Sequence, residues 1–234
     1  MSIEKPEDFY RVYDEYKAYE RPGLKPKHIR WFDREFWQPC RCTPDMAFLE
    51  IGCGTGQFLD YLRHKGAREV DGVELDRRAV QVMNPELAAR VRVCDVWDFL
   101  ADTGFGTAYD RIVLLDVLEH FSYIEAAELL GQLASRLRPS GMITVRVPNM
   151  ASPWGRMHQF GDLTHKSAYT PESLKQLAAA TGYRVRAVLA QRRGSPVRRF
   201  TEDCLHGFLS LVLTASPAIW TPNMILVLER STDR

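Results

Sequence analysis

An α/β fold built on a mostly parallel sheet is what this 234-residue sequence predicts. Three observations carry it. Short apolar runs alternate with segments of helical spacing, a glycine-rich turn follows the first run directly, and hydrophobic residues make up 45% of the chain against 26% charged. Strands alternating with helices at this pitch imply a sheet covered on both faces, with ligands binding beyond the carboxyl ends of its strands.

The elements follow in order. Residues 46–51 (MAFLEI) form an apolar run that ends in glycines, and 56–65 carry helical spacing through Phe58, Leu59 and Leu62. A second strand is expected at 69–74, a helix at 77–83, a third strand at 91–94 and a fourth at 111–115. Over 123–137, Ile124, Ala127, Leu130, Ala134 and Leu137 fall on one helical stripe. Pro139, Ser140 and Gly141 stop that helix before a fifth strand at 142–147. Residues 148–170 read as a loop too long for a simple connector, hence a functional one. A helix at 171–181 has Thr170 as N-cap, Pro171 at its first position and Gly182 as C-cap. Two final strands, 183–190 and 223–229, flank a helical insert near 202–213.

Residues 1–45 carry no strand signal and many aromatics, among them Tyr10, Tyr13, Tyr16, Tyr19, Trp31, Phe32, Phe36 and Trp37. A helical cap over the sheet's ligand edge is expected there, with 46–234 as one structural unit. Residues 1–17 show no apolar core of a signal peptide. The uncharged stretch 205–228 is interrupted by Pro217 and Pro222, and so reads as buried core and not as a membrane span. Five cysteines without a repeating spacing form neither a disulfide framework nor a zinc site. A cytoplasmic protein is expected.

Charge excludes one class of partner. Lys plus Arg is 31 and Asp plus Glu is 30, a net charge of +1, which argues against holding a long polyanion by overall basicity. The balance is uneven along the chain, because residues 182–200 hold six arginines and no acid. An anion site for a phosphate-bearing substrate is expected at Arg192, Arg193, Arg198 and Arg199, against the plainer reading of a solvated edge.

The strongest motif is Glu50-Ile-Gly52-Cys-Gly54-Thr-Gly56, a turn that lets backbone N–H groups approach a ligand. Glu74 ends the second strand, where a carboxylate can bind ribose hydroxyls, and Asp95 ends the third, where it can accept from an exocyclic amine. A dinucleotide fingerprint places its third glycine one residue later, and a carboxylate in the turn repels a pyrophosphate but suits a cationic amino-acid moiety or sulfonium.

The pattern resembles motif I (E/D-x-G-x-G-x-G) of the class I S-adenosylmethionine-dependent methyltransferases. The likeness extends through Val73-Glu74-Leu75-Asp76, Cys94-Asp95-Val96, Leu115-Asp116-Val117-Leu118-Glu119-His120 and Leu137-Arg138-Pro139-Ser140-Gly141-Met142. It implies a Rossmann-like, seven-stranded, mostly parallel sheet with an antiparallel last strand. It also implies S-adenosylmethionine as cofactor. Glu50, Gly52, Gly54 and Gly56 would line the methionine part, Glu74 the ribose, Leu75 the adenine, and Asp95 with Val96 its amino edge. Leu115 or Asp116 would touch the sulfonium side.

Methyl transfer needs an aligned nucleophile whose proton is removed, and a site without water. The candidates are Asp116, Glu119, His120, His158, Asp162 and His165. Asp116-x-x-Glu119-His120 together with His165 is similar to the pattern that holds a divalent cation in plant small-RNA 2′-O-methyltransferases and, more loosely, in ubiquinone-pathway O-methyltransferases. That likeness implies Asp116, Glu119, His120 and His165 as ligands of Mg²⁺, Mn²⁺ or Fe²⁺. The metal-free alternative makes His165 or His120 the general base, held by Asp162 or Glu119. Gly161-Asp162-x-Thr164-His165 resembles methyltransferases of bacterial polysaccharide gene clusters, which points to a sugar hydroxyl of a glycan, glycolipid or nucleotide-sugar-derived acceptor. RNA ribose, a quinone or natural product, and a non-catalytic cofactor-binding subunit are the competing readings.

Overall fold

The computed structural model describes residues 3–12, 19–21, 23–102 and 108–231, so Tyr13 and Tyr16 lie outside the described residues. Seven strands form one sheet: β1 (Ala47–Ile51), β2 (Glu69–Glu74), β3 (Val91–Val93), β4 (Tyr109–Leu115), β5 (Leu137–Pro148), β6 (Tyr183–Ala190) and β7 (Asn223–Arg230). Their order is β3-β2-β1-β4-β5-β7-β6. The first five run parallel, and β7 lies antiparallel between β5 and β6, as the resemblance implied.

Every residue of β1 is buried, the signature of a strand covered on both faces. Successive side chains therefore feed two cores. Leu49 and Ile51 join Ile112, Leu114, Leu129 and Leu174 on one face. Phe48, Val113 and Val227 join Phe58, Leu59 and Leu62 on the other.

The helices are α1 (Pro26–Phe32), α2 (Gln57–His64), α3 (Arg77–Gln81), α4 (Pro85–Ala88), α5 (Val96–Ala101), α6 (Tyr123–Leu133), α7 (Arg156–Gln159), α8 (Pro171–Ala180) and α9 (Pro196–Val212). Their starts are set by side-chain oxygens that satisfy free backbone N–H groups. Asp76, Asn84 and Asp95 each accept from the residue two positions on, while Ser122 and Thr170 close capping boxes. Thr181 is the last cap of α8, and Gly182 follows it at φ +81°.

Four expectations need correction. The inward face of α6 is Ala126, Leu129, Leu130 and Leu133, and Ile124 is exposed, because the stripe is rotated by one position from the one read above. Pro139 to Gly141 do not precede β5 but bulge out of it: Tyr109 pairs with Leu137 and Arg111 with Met142. The insert before β7 begins at Pro196, where the Ser195 hydroxyl accepts from the Arg198 N–H and proline occupies the first turn. The 205–228 stretch is core only in its strand half. Met224–Leu228 are buried, whereas none of the seventeen residues of α9 is.

The aromatic N-terminal segment divides in two. Phe32 and Phe36, on α1 and the π-turn Asp33–Trp37 that continues it, pack edge-on to Phe58 at 5.1 and 4.9 Å. That places them on the α2 face of the sheet and away from its ligand edge, because residues 32 and 36 share one helical face and Phe58 and Tyr61 offer an apolar counterpart. Phe36→Ala removes a buried ring and is expected to cost about 3–5 kcal/mol in urea unfolding. A loss under about 1 kcal/mol would mean that this segment is not anchored in the core.

Candidate functional site

The turn after β1 opens a cavity of about 720 Å³ along the carboxyl ends of β1, β2, β3 and β4. Gly52 (φ +67°) packs so closely under Val117 that a Cβ would lie 2.5 Å from its methyl group. Gly54 (φ +53°) has nothing within 4 Å of that position, so its backbone is open to a ligand. Gly56 caps α2 and, like Glu50, stands behind the cavity wall.

Glu74 binds the turn to β2: its carboxylate accepts from the Gly54 N–H at 2.7 Å and the Asp76 N–H at 2.8 Å. Burial raises its pKa against those hydrogen bonds. Leu75, exposed over half its surface, and Val96 line the same wall. Asp95 spends one oxygen on the Trp97 N–H (2.9 Å), and Leu115 lies at the end of β4. Glu50 is buried beneath the turn, and its Oε2 has no hydrogen-bond partner among the described residues. Desolvation pushes its pKa well above the carboxylate range, with Arg146 opposing and Glu74 adding to the shift.

Three lining residues were not among the expected site residues, although Tyr10 and Tyr19 belong to the segment expected to cap the ligand edge. Tyr10, Tyr19 and Arg78 close the cavity from above. The Tyr19 hydroxyl and the Arg78 guanidinium both donate to Asp76, at 2.9 and 2.7 Å. The tyrosine-rich N-terminus was the only signal for this cover.

A smaller cavity of about 190 Å³ lies beside the first and shares Asp116 and His120 with it. Glu119, His158, Asp162 and His165 complete its chemical lining. The 148–170 loop is built onto the sheet rather than draped over it. Asn149 bridges Tyr169 and donates to the carbonyls of Ile219 and Thr221, while Lys166 and Ser167 donate backbone N–H to the Glu119 carbonyl. Its turn requires Gly155, where a Cβ would come within 2.0 Å of the Asn149 oxygen.

Hydrogen bonds orient both histidines. His165 Nδ1 lies 2.8 Å from the Gln159 carbonyl, which can only accept, so Nδ1 carries the proton and Nε2 the lone pair. His120 Nδ1 meets the hydroxyls of Tyr10 and Thr164, each at 2.9 Å. Thr164 donates its own proton to Asp162 at 2.5 Å, so toward His120 its oxygen can only accept. The two rings are 4.6 Å apart and edge to face.

The candidate ligands divide differently from the sequence pattern. His120, Asp162 and His165 offer donor atoms within 4.8 Å of one another. Asp116, in a left-handed backbone conformation (φ +59°), is gripped by Arg146 through both oxygens, at 2.8 and 2.5 Å. Glu119 lines the cavity from full burial.

The six arginines are split by the fold, and acids meet four of them. Arg184 and Arg186 pair with Glu229, Arg192 with Asp203 and Arg193 with Glu35, so they do not form one basic hairpin. Arg193 and Arg199 instead join Lys27, Arg30 and Arg34 around Trp31 in a separate cleft.

A family model described as a methyltransferase domain matches residues 21–188. A sphingolipid C9-methyltransferase of Candida albicans is 24% identical over 123 residues, which is 49% of this chain and 23% of that one. The chain thus spans about a quarter of that relative's length. Among solved structures, an S-adenosylmethionine-dependent methyltransferase from Archaeoglobus fulgidus superposes with a TM-score of 0.68 at 19% identity, over 95% of this chain and all of that one (100%). The magnesium protoporphyrin IX methyltransferase of Synechocystis PCC 6803, solved with S-adenosylmethionine bound, gives 0.62 at 15% identity over 99% and 100%. These likenesses establish the fold.

The buried Glu50 carboxylate ties stability to pH in a fixed direction. Its folded-state pKa is raised, so the folded chain binds more protons than the unfolded one, and stability falls as pH climbs past the ordinary carboxylate range. Glu50→Gln removes that loss. Without ligand, the variant's Tm near pH 7 is expected to be a few degrees higher, at ~2–4 °C per kcal/mol in a chain of this size. The gap should narrow toward about pH 4, and an equal or lower Tm near pH 7 would contradict the burial argument.

Proposed function

The chain belongs to the methyltransferase-domain family, and from that membership we propose that it transfers the methyl group of S-adenosylmethionine to a hydroxyl oxygen, with His165 as the base. The cofactor follows from the family and the fold. The residues around it fit. Glu50 holds an unpartnered buried carboxylate oxygen behind an open glycine turn, as the cationic methionine end of the cofactor requires. Glu74 would take the ribose hydroxyls, Leu75 and Val96 the adenine faces, Asp95 its amino edge, and Leu115 with Asp116 the sulfonium side.

The observation that carries the reading is the shared wall. A donor-sized cavity and a smaller one meet at Asp116 and His120, and His165 presents its Nε2 lone pair to the smaller. In that arrangement the acceptor oxygen attacks the methyl carbon in line with the departing sulfur. The O–CH₃ bond forms as the CH₃–S bond breaks, the hydroxyl proton passes to His165 Nε2, and neutral S-adenosylhomocysteine remains. Asp162 and Thr164 position His120 against the same oxygen. The acceptor we favour is a sugar hydroxyl of a glycan or glycolipid, on the Gly161-Asp162-x-Thr164-His165 motif.

A divalent cation is the second reading, supported by the mutual reach of His120, Asp162 and His165. Two imidazoles and one carboxylate suit Mn²⁺, Fe²⁺ or Zn²⁺ better than Mg²⁺. Bound there, such an ion would lower the pKa of the acceptor hydroxyl.

Two measurements test these assignments. His165→Ala is expected to lower kcat by about 10²–10⁴-fold while leaving S-adenosylhomocysteine affinity within about twofold. Retained turnover would sink the base. Glu74→Ala should do the reverse, weakening cofactor binding by about tenfold or more, the worth of one charged hydrogen bond. Dialysis against EDTA separates the readings of His165: unchanged turnover leaves the metal-free base, and loss restored by Mn²⁺ or Fe²⁺ replaces it with the cation.

A further inference from the structure

Helix α9 carries its amphipathic pattern inside out. Val197, Phe200, Cys204, Phe208, Leu211 and Val212 recur at helical spacing and make one apolar stripe, yet all are exposed, Leu211 to 84%. The opposite, polar side holds the helix to the body. His206 accepts the Trp154 indole N–H at 3.2 Å and stacks on Trp220, Ser210 accepts from Trp220 at 2.9 Å, and Asp203 pairs with Arg192. A surface helix of a globular protein turns its apolar stripe inward, and this one turns it out.

What covers the stripe is indicated by shape and charge. A helix of seventeen residues is ~25 Å long with one apolar face, the shape of an amphipathic helix that lies in a bilayer interface. The N-terminal end of α9 adjoins a cleft of about 680 Å³ lined by Lys27, Arg30, Trp31, Arg34, Arg193 and Arg199. Among the described residues, no carboxylate pairs with Lys27, Arg30, Arg34 or Arg199, and Arg199 Nε is buried without a hydrogen-bond partner. Asp33 lines the cleft too, but is taken by Lys65 and Tyr61. An apolar helical face next to unpaired cations and a tryptophan matches the composition of the headgroup region of an anionic membrane. The exposed Met157, Phe160 and Leu163, on the loop that Trp154 ties to His206, extend the apolar surface toward the smaller cavity.

We propose that α9 lies flat at the headgroup boundary of an anionic bilayer, with the Arg30–Arg199 cleft over the lipid phosphates. Among the described residues, no helix is long and apolar enough to cross a membrane, so the attachment is peripheral and reversible. It holds whichever acceptor is methylated.

The test uses the full chain and two kinds of vesicle, phosphatidylcholine alone and phosphatidylcholine mixed with phosphatidylglycerol. Sedimentation at low salt should give a partition coefficient about tenfold or more higher on the anionic vesicles. The double variant Phe208→Glu with Leu211→Glu, on the exposed stripe, should lose at least about tenfold of that binding with S-adenosylhomocysteine affinity unchanged. Arg30→Ala with Arg199→Ala should narrow the preference for phosphatidylglycerol. A polarity-sensitive dye on Cys204, the exposed cysteine in the middle of the stripe, should shift to the blue on those vesicles. Three outcomes overturn the proposal: no sedimentation with anionic vesicles, equal sedimentation of the glutamate variant, or a blue shift without lipid in a chain that runs as a dimer.

Discussion

One buried guanidinium holds the centre of this molecule together. Arg146, near the carboxyl end of β5, grips both oxygens of Asp116 and accepts its backbone N–H, so the turn after β4 is fixed by side chain and main chain at once. The same charge acts on Glu35, Glu119 and Glu50, three carboxylates that are otherwise buried. An unpaired buried carboxylate is costly; this cation pairs with Asp116 and acts at longer range on the other three, of which Glu35 has its own ion pair with Arg193. Asp116 stands in the wall common to both cavities, so the relation between the two cavities rests on this pair. The chain of charge continues outward through Glu35 to Arg193 and ends stacked on Trp31 at the basic cleft.

Acids outnumber cations around the larger cavity: Glu74, Asp76 and Asp95 line it and Glu50 stands behind it, against one arginine, Arg78. On the proposed function, the ligand of this space would arrive as a sulfonium and leave as a neutral thioether. Desolvated acids attract the first and not the second, so the field that favours binding of the reactant fades as the methyl group moves. The ligand-free protein carries the cost, as the raised pKa of Glu50 shows.

Much of this could be read from residues alone, for physical reasons that differ from element to element. Glu69–Glu74 and Tyr183–Ala190 were legible to the residue because each is a short β-rich run bounded by turn formers. Most residues of the larger cavity's wall were legible because glycines at a turn and acids at strand ends leave a spaced signature, whereas Glu50 and Gly56 stand behind that wall. The cover was not. Tyr10 and Tyr19 reach the cavity across long sequence separations, and aromatic composition cannot say which rings pack on Phe58 and which face a ligand. How the arginine run is partnered was not legible, because its acidic partners Glu35 and Glu229 come from distant strands and turns. The exposure of α9 was not legible either: the uncharged stretch 205–228 reads as buried core, because absence of charge does not tell inside from outside.

That helix also bears on how such a protein can change. Because nothing in either core rests on α9, its outer residues are free of the packing rules that govern the rest of the chain. The β6–β7 connection that carries it can lengthen at small entropic cost, ~0.6 kcal/mol for each doubling. A lineage could therefore exchange this one segment and send the same chemistry to a different surface, leaving the sheet, the donor wall and the histidines as they are. The insert behaves as an address label, rewritable without opening the envelope.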